Sequence, residues 1–290
     1  MTATHEDIIK KAEIITEALP YISRYSGKTI VVKYGGNAMN DPKTLRTIMQ
    51  DIATLKIVGV NPVLVHGGGP EINAQLDKLG IPSEFKNGLR VTSKEAMDVV
   101  QMTLAGRINK NIAATLNTLG VKAVGLCGKD ADLISVEKMK PQGGTDYGYV
   151  GKITQINAAL LETLKKDYIP VISSVGVDKN GDGYNVNADI AAGAIGGAMH
   201  AEKLMFLTDV DGIRQEEKDP STLISQIRVP EIEKMIQSGK ISGGMIPKVR
   251  ACTDAISMGV GNVLILNGTI PHSILLELFT AKGIGTMVTA

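Results

Sequence analysis

From residue 28 onward, short apolar runs alternate with longer stretches whose apolar positions recur at helical spacing. The chain before that point reads differently. His5 to Leu19 sets Ile8, Ile9, Ala12, Ile15, Ala18 and Leu19 on one helical face and Lys10, Lys11, Glu13 and Glu17 on the other, which predicts an amphipathic helix. Pro20 follows, and Ser26-Gly27 separates this segment from the first strand. A helix set ahead of the core packs either on its own body or on a neighbouring subunit.

The alternation after residue 28 predicts regular elements. Lys28–Lys33, Pro62–His66, Val121–Leu126, Ile169–Ser173, Lys203–Leu207 and Val260–Leu266 read as buried strands, short, apolar and mostly rich in β-branched residues. A helix is expected from Asp41 to Ile57, with Asp41 as cap and Pro42 in the first position. Others are expected from Pro70 to about Gly80, over Ser93–Leu119 as one or two helices, and over Ala158–Lys166, Ala188–Met199, Val229–Gln237, Pro247–Met258 and Ser273–Phe279. Ile134–Ile153 reads as β-ribbon around Gly143-Gly144, and Asn180-Gly181 marks a hairpin turn. Strands regularly separated by helices define an α/β fold, a three-layer sandwich with a largely parallel central sheet. The expected organisation is an N-terminal helix (1–27) and two lobes (28–173 and 174–290) sharing one continuous sheet.

Composition narrows the function. Lys and Arg number 31 against 30 Asp and Glu, so no basic excess marks a nucleic-acid or membrane-surface binder. Seven Tyr, three Phe and no Trp offer little for base stacking. Cys127 and Cys252 stand far apart, and His5, His66, His200 and His272 show no ligand spacing; neither a disulfide framework nor a structural metal is expected. The N-terminus lacks an apolar signal core, and no apolar run approaches the ~18 residues that span a bilayer. A cytoplasmic protein is expected. What departs from the ordinary is glycine, at 32 residues of 290 against a usual share of roughly 7%.

Those glycines cluster where elements meet. Lys33-Tyr34-Gly35-Gly36-Asn37 follows the first strand, His66-Gly67-Gly68-Gly69-Pro70 joins a strand to a helix, and Gly243-Gly244-Met245-Ile246-Pro247-Lys248 enters another helix. Without a Cβ, backbone N–H groups can converge on an anion, and a helix N-terminus adds partial positive charge. In open α/β sheets, ligands sit at the carboxyl ends of strands, where the first two clusters fall. Neither GxxxxGK[ST] nor GxGxxG is present, so phosphate would be held by another scheme. Lys33 closes a strand, and Lys248 stands at a helix start, where the dipole disfavours a cation unless an anion is bound nearby. Two lysines converging on one phosphoryl group would supply the charge neutralisation that phosphoryl transfer needs. Arg90, in Asn87-Gly88-Leu89-Arg90-Val91-Thr92, has the planar fork that suits a carboxylate. Asn185, Asn187 and Asp189 alternate ahead of a small-residue helix; Asp189 either caps that helix, holds lysines or helps organise magnesium.

Taken in order, KYGGNAM, VHGGGPEIN, NGLRVT, GLCGKDADL, YNVNAD, LTDVDGI and GGMIPK resemble the amino acid kinase family over nearly the whole chain, from Lys33 to Thr286. NGLRVT points within that family to the branch acting on N-acetyl-L-glutamate. The resemblance implies transfer of the ATP γ-phosphoryl group, with Mg2+ held mainly by the nucleotide phosphates, to the γ-carboxylate of N-acetyl-L-glutamate, the second step of arginine biosynthesis. It implies that Lys33 and Lys248 stabilise the transition state and that Asp189 organises them. It implies backbone donors at Gly36, Gly68 and Gly69, substrate contacts from Arg90, Asn185 and Asn187, and nucleotide contacts from Gly35, Gly36, Thr208, Asp209, Val210, Asp211, Gly212, Ile213 and Gly243. The substrate carboxylate is already an anion, so no general base is expected.

The extra N-terminal helix resembles the one that interlaces dimers into hexamers in arginine-inhibited members of the family. That resemblance implies a homo-oligomer and an L-arginine site between this helix and the second lobe, with Tyr21, Lys203, His272 and Glu277 as candidates. Two other functions fit the same scaffold: a non-catalytic arginine-binding regulatory subunit, and a kinase with another carboxylate acceptor.

Overall fold

The computed structural model describes residues 5–35, 41–141, 143–216 and 219–290. Its strands are β1 (Thr29–Tyr34), β2 (Asn61–His66), β3 (Glu84–Lys86), β4 (Leu89–Val91), β5 (Ala123–Leu126), β6 (Ile134–Lys138), β7 (Gly151–Ile156), β8 (Ile169–Ser173), β9 (Val175–Val177), β10 (Gly183–Asn185), β11 (Lys203–Thr208), β12 (Gln226–Arg228), β13 (Asn262–Asn267) and β14 (Thr286–Thr289). The helices are α1 (His5–Tyr25), α2 (Pro42–Ile57), α3 (Gly69–Leu79), α4 (Lys94–Gln101), α5 (Asn109–Thr118), α6 (Ala158–Leu164), α7 (Ala188–Ala198), α8 (Val229–Gln237), α9 (Met245–Ser257) and α10 (Ser273–Phe279).

Among the described residues, eight strands form one sheet in the order β12-β14-β13-β11-β1-β2-β8-β5. Only the β13–β14 pairing is antiparallel. Successive side chains on a strand face opposite ways, and each face gathers its own core. Ile30, Val32, Tyr34 and Leu64 pack with α2, α3, α4, α5 and α10. Val31, Val63 and Val65 pack with α6, α7, α8 and α9. The result is the expected three-layer α/β sandwich. Close approach of α7 to α9 explains the small-residue sequence: a Cβ on Gly197 would lie 2.4 Å from the Met258 carbonyl oxygen.

Several local expectations meet a different structure. α1 does not stop at Leu19 but continues through Pro20 to Tyr25. Proline deprives the helix of one N–H and crowds the preceding turn, yet the end of α1 is fastened by Tyr25, which is buried, with Lys203 Nζ 5.7 Å from its ring centre. Asn87-Gly88, read only as part of a polar cluster, is the turn of the β3–β4 hairpin, with φ of 50° and 78°. Such paired positive φ values are why Asn-Gly favours two-residue hairpins. β12 at the sheet edge and its inner neighbour β14 are too short or too polar for the sequence pattern to mark them. β9 and β10 pair with each other and β9 with β6, so residues 175–185 belong to the small sheet β10-β9-β6-β7. The long helical stretch is one run in which α4 and α5 are joined by a π-helical segment, Met102–Ile108. Among the described residues no helix is long and apolar enough to cross a membrane.

Candidate active site

The carboxyl ends of β1, β2, β11 and β13 open onto a cleft formed by three adjoining cavities of about 210, 290 and 590 Å³. Lys33, Gly35 and Asp189 border the first two, and Asp209 and Lys248 the second and third. Lys33 shares the strand face of Val31, which α7 covers, and its Nζ meets Asp189 Oδ1 at 2.8 Å. Asn187, rather than Asp189, caps α7: its Oδ1 accepts from the amides of Asp189 (2.8 Å) and Ile190 (3.2 Å). That leaves the Asp189 carboxylate for Lys33. Lys248, at the start of α9, lies 3.3 Å from Asp209 Oδ1. Within 4 Å the two lysines are therefore held by different carboxylates, not by Asp189 alone.

The glycine loop after β2 borders the first cavity. The Gly67 amide donates to the Tyr34 carbonyl at 3.3 Å, and among the described residues the Gly68 and Gly69 amides meet no acceptor. A Cβ on Gly68 would lie 2.3 Å from Ile108 Cδ1 and 2.9 Å from Leu104 Cδ2, so those side-chain ends would have to move aside. Gly35 gives Lys33 space to fold back, its notional Cβ standing 3.2 Å from the ammonium. Gly36 lies outside the described residues.

Arg90 stands opposite Phe85 across the β3–β4 hairpin, with its guanidinium 4.6 Å above the ring centre. It donates to Ser83 Oγ and, at 3.4 Å, to the Gly69 carbonyl. The residue is buried, its pKa is lowered by desolvation, and no carboxylate lies within 4 Å of it among the described residues. A buried guanidinium without a carboxylate at a cavity wall is a ready anion site. Asn185 borders the same cavity and donates to Thr92 Oγ1 at 3.3 Å.

The widest part of the cleft is lined by residues 209–214 and 240–245, which include the candidates Asp209, Val210, Asp211, Gly212, Ile213 and Gly243; Thr208 borders the middle cavity. Thr208 Oγ1 accepts from the Val210 amide at 3.1 Å. Asp211 accepts from Asn267 and from Arg214, each at 2.8 Å, and these bonds, Asn267 first, hold its pKa below the ordinary value.

The four residues considered for arginine do not line this cleft. Lys203 begins β11, at the opposite end of that strand from Thr208. Its pKa is lowered by burial, against the attraction of Glu277. Glu277 Oε2 accepts from the amides of Ile284 (2.7 Å) and Gly285 (3.1 Å). His272 pairs instead with the buried Asp51 at 2.6 Å, and Tyr21 lies one turn before Tyr25 on α1. Sequence reasoning overlooked Phe85, Ser83 and Asn267 as site-forming residues, and Asp209 as the partner of Lys248. The Asn-Gly turn could have revealed the first two by placing Phe85 across from Arg90. Nothing in local spacing signals the other two.

This arrangement belongs to a recognisable class. The sequence profile described as the amino acid kinase family matches residues 28–267, and the chain belongs to that family. Among curated relatives, the acetylglutamate kinase of Heliobacterium modesticaldum is 51% identical over 289 residues, covering 97% of this chain and 98% of the relative. That of Caldicellulosiruptor saccharolyticus is 53% identical over 287 residues, covering 98% of each. Among solved structures, N-acetylglutamate synthase from Neisseria gonorrhoeae, complexed with coenzyme A and N-acetyl-glutamate, superposes with a TM-score of 0.85 at 27% identity. The match covers 96% of this chain and spans 63% of the synthase. The same synthase with coenzyme A and L-arginine gives 0.79 at 25% identity, covering 96% of this chain and 65% of the synthase.

Proposed function

We propose that this chain is an acetylglutamate kinase, transferring the γ-phosphoryl group of ATP to the γ-carboxylate of N-acetyl-L-glutamate to give an acyl phosphate. The observation that carries this reading is one cleft with a buried, carboxylate-free guanidinium at one end and two lysines at its middle. Arg90 binds the substrate α-carboxylate, with Asn185 and Asn187 beside the acetylated amine. Gly68 and Gly69 offer free amides to the anion. The nucleotide occupies the wide end between residues 208–213 and Gly243, with Gly35 beside its phosphates. Lys33 and Lys248 neutralise charge as the phosphoryl group leaves one oxygen for another, and Asp189 and Asp209 hold them in place. The attacking carboxylate is already ionised, so no proton has to be removed.

Among the described residues no group of three or more His, Cys, Asp or Glu side chains could hold a metal ion, and both aspartates at the middle cavity already meet a lysine. That donor set fits magnesium held mainly by the nucleotide phosphates, whose charge it would reduce when bound. The two halves of the sheet act as lobes, β1, β2, β5 and β8 toward the amino acid and β11 to β14 toward the nucleotide. The reaction belongs to arginine biosynthesis in the cytoplasm.

Feedback by L-arginine and a ring-shaped oligomer are parts of the same proposal. Ile9, Ile14, Ile15 and Leu19 on α1 are each more than half exposed, and burying what remains exposed of each against another subunit would contribute about 1–2 kcal/mol. The cluster of Tyr25, Lys203 and Glu277, where α1 meets α10, supports an effector site that also draws on Tyr21 and His272. A coupled assay of ADP formation tests the activity: turnover with N-acetyl-L-glutamate is expected, and turnover only with carbamate, aspartate or UMP would reject it. Repeating the assay with L-arginine tests the regulation.

A further inference from the structure

Two residues outside the cleft, His66 and Asn109, are fully buried polar groups beside the apolar core, with buried Ser173 next to His66 in the sheet. His66 ends β2 on the same strand face as Leu64, toward α5, and Asn109 begins α5 directly after the π-helical segment. Asn109 Nδ2 lies 3.1 Å from His66 Nε2, 2.9 Å from the Val171 carbonyl and 3.3 Å from the Leu126 carbonyl. The amide cannot be turned round, because its oxygen would then face two carbonyl oxygens. The group facing Nε2 is therefore an NH2, which shares two hydrogens among these three acceptors and can accept none, so Nε2 is the bare nitrogen. The neutral ring then carries its proton on Nδ1, which lies 3.0 Å from the Gly67 carbonyl oxygen.

We propose that His66 and Asn109 are positioning residues: Asn109 sets the His66 tautomer, and the Nδ1–H group of His66 holds the Gly67 carbonyl so that the Gly68 amide faces the cleft. The link is the planar trans peptide, in which the carbonyl of one residue and the N–H of the next point opposite ways; no cis bond occurs among the described residues. Drawing the Gly67 oxygen toward the ring under the loop turns the Gly68 N–H away from it. A Gly-Gly peptide otherwise flips readily, since neither flank carries a Cβ. The π-helical segment adds a second constraint by pressing Leu104 and Ile108 against Gly68. Burial keeps the ring neutral, lowering its pKa to about 4, so the donor stays on Nδ1 at working pH. This assignment rests on the kinase reading above only for the consequence in turnover; the tautomer itself does not depend on it.

The test uses the full chain in two arms. In the first, 15N NMR of histidine-labelled protein, with His66 identified by its loss in His66→Asn, reads the tautomer directly at neutral pH. A protonated Nδ1 with a bare Nε2 is expected; an Nε2–H tautomer or a charged ring overturns the proposal whatever the enzyme does. In the second, kcat and KM are compared for two variants of similar size. Asn carries its amide N–H near the Nδ1 position and can hold the Gly67 carbonyl, whereas Gln carries its own near Nε2. His66→Gln is expected to lower kcat about tenfold or more, with KM for N-acetyl-L-glutamate changed by less than about threefold, and His66→Asn to keep kcat within about threefold of the parent. Equal losses in both variants, or undiminished turnover in His66→Gln, overturn the proposal. Absence of turnover in the parent protein would count against the kinase reading, while the NMR arm still decides the tautomer. If His66→Gln does not fold, that arm likewise remains decisive.

Discussion

Lys33 Nζ and Asp189 Oδ1 lie 2.8 Å apart, tying the end of β1 to the first turn of α7. Asp189 is one-third exposed, so the pair contributes little to stability, about 1 kcal/mol or less. A carboxylate in the first turn of a helix is already favoured by the helix dipole. The pair's consequence is geometric: it holds an ammonium at the junction of two cavities.

Replacing Lys33 with Ala is therefore expected to lower kcat by about 100-fold or more while changing unfolding free energy by about 1 kcal/mol or less. Lys248→Ala should behave alike, because its pairing with Asp209 is also partly solvated. Steady-state kinetics and urea unfolding check both. A stability loss large enough to account for the kinetic loss would remove the lysines from the chemistry.

Arg90→Lys should raise KM for N-acetyl-L-glutamate about tenfold or more with a smaller effect on kcat, since Lys cannot reproduce the planar fork or its stacking on Phe85. Phe85→Leu should raise the same KM by less. A fall in kcat at constant KM would contradict the binding role.

Gly68→Ala should destabilise the fold by roughly 1–3 kcal/mol, because the added methyl would press on buried Ile108 and Leu104. Turnover should fall as well, as the loop shifts. Gly69→Ala, whose Cβ would meet open space, should cost less stability. Thermal unfolding of the two variants side by side separates crowding from a general loss of flexibility.

The buried His66 ring makes the fold sensitive to acid. Its folded pKa of about 4 lies below the ordinary 6.5, so the unfolded chain binds this proton more readily. The stability involved is fully present above about pH 6.5 and is lost as pH falls through about 4, amounting to roughly 3 kcal/mol between pH 7 and 4. Urea unfolding at pH 7, 5.5 and 4.5 should show a steeper decline in the parent protein than in His66→Asn. Parallel declines would mean that the ring protonates without opening the core.

Deleting residues 1–20 removes the exposed isoleucines of α1 while keeping Tyr25 on the body. Light scattering should show a change from hexamer to dimer, with phosphoryl transfer retained and sensitivity to L-arginine lost. An unchanged mass would mean that α1 does not link subunits.

Much of this protein is written in local sequence. β-branched runs, the Asp41-Pro42 helix start and the three glycine clusters follow from conformational preferences and periodicity that each segment carries by itself, and together they specify the alternation that builds the sandwich. The lysines, Arg90 and the glycine loops could be named as candidates because strand ends and helix starts are where such chemistry collects. Partnerships were another matter. That Lys33 meets Asp189 while Lys248 meets Asp209, that Phe85 underlies Arg90, that α1 runs through Pro20, and that Asn109 reaches His66 depend on which strand face each residue occupies and which helix covers it. Those are contacts between residues far apart in the chain, set by packing of the whole sandwich, and no local pattern contains them.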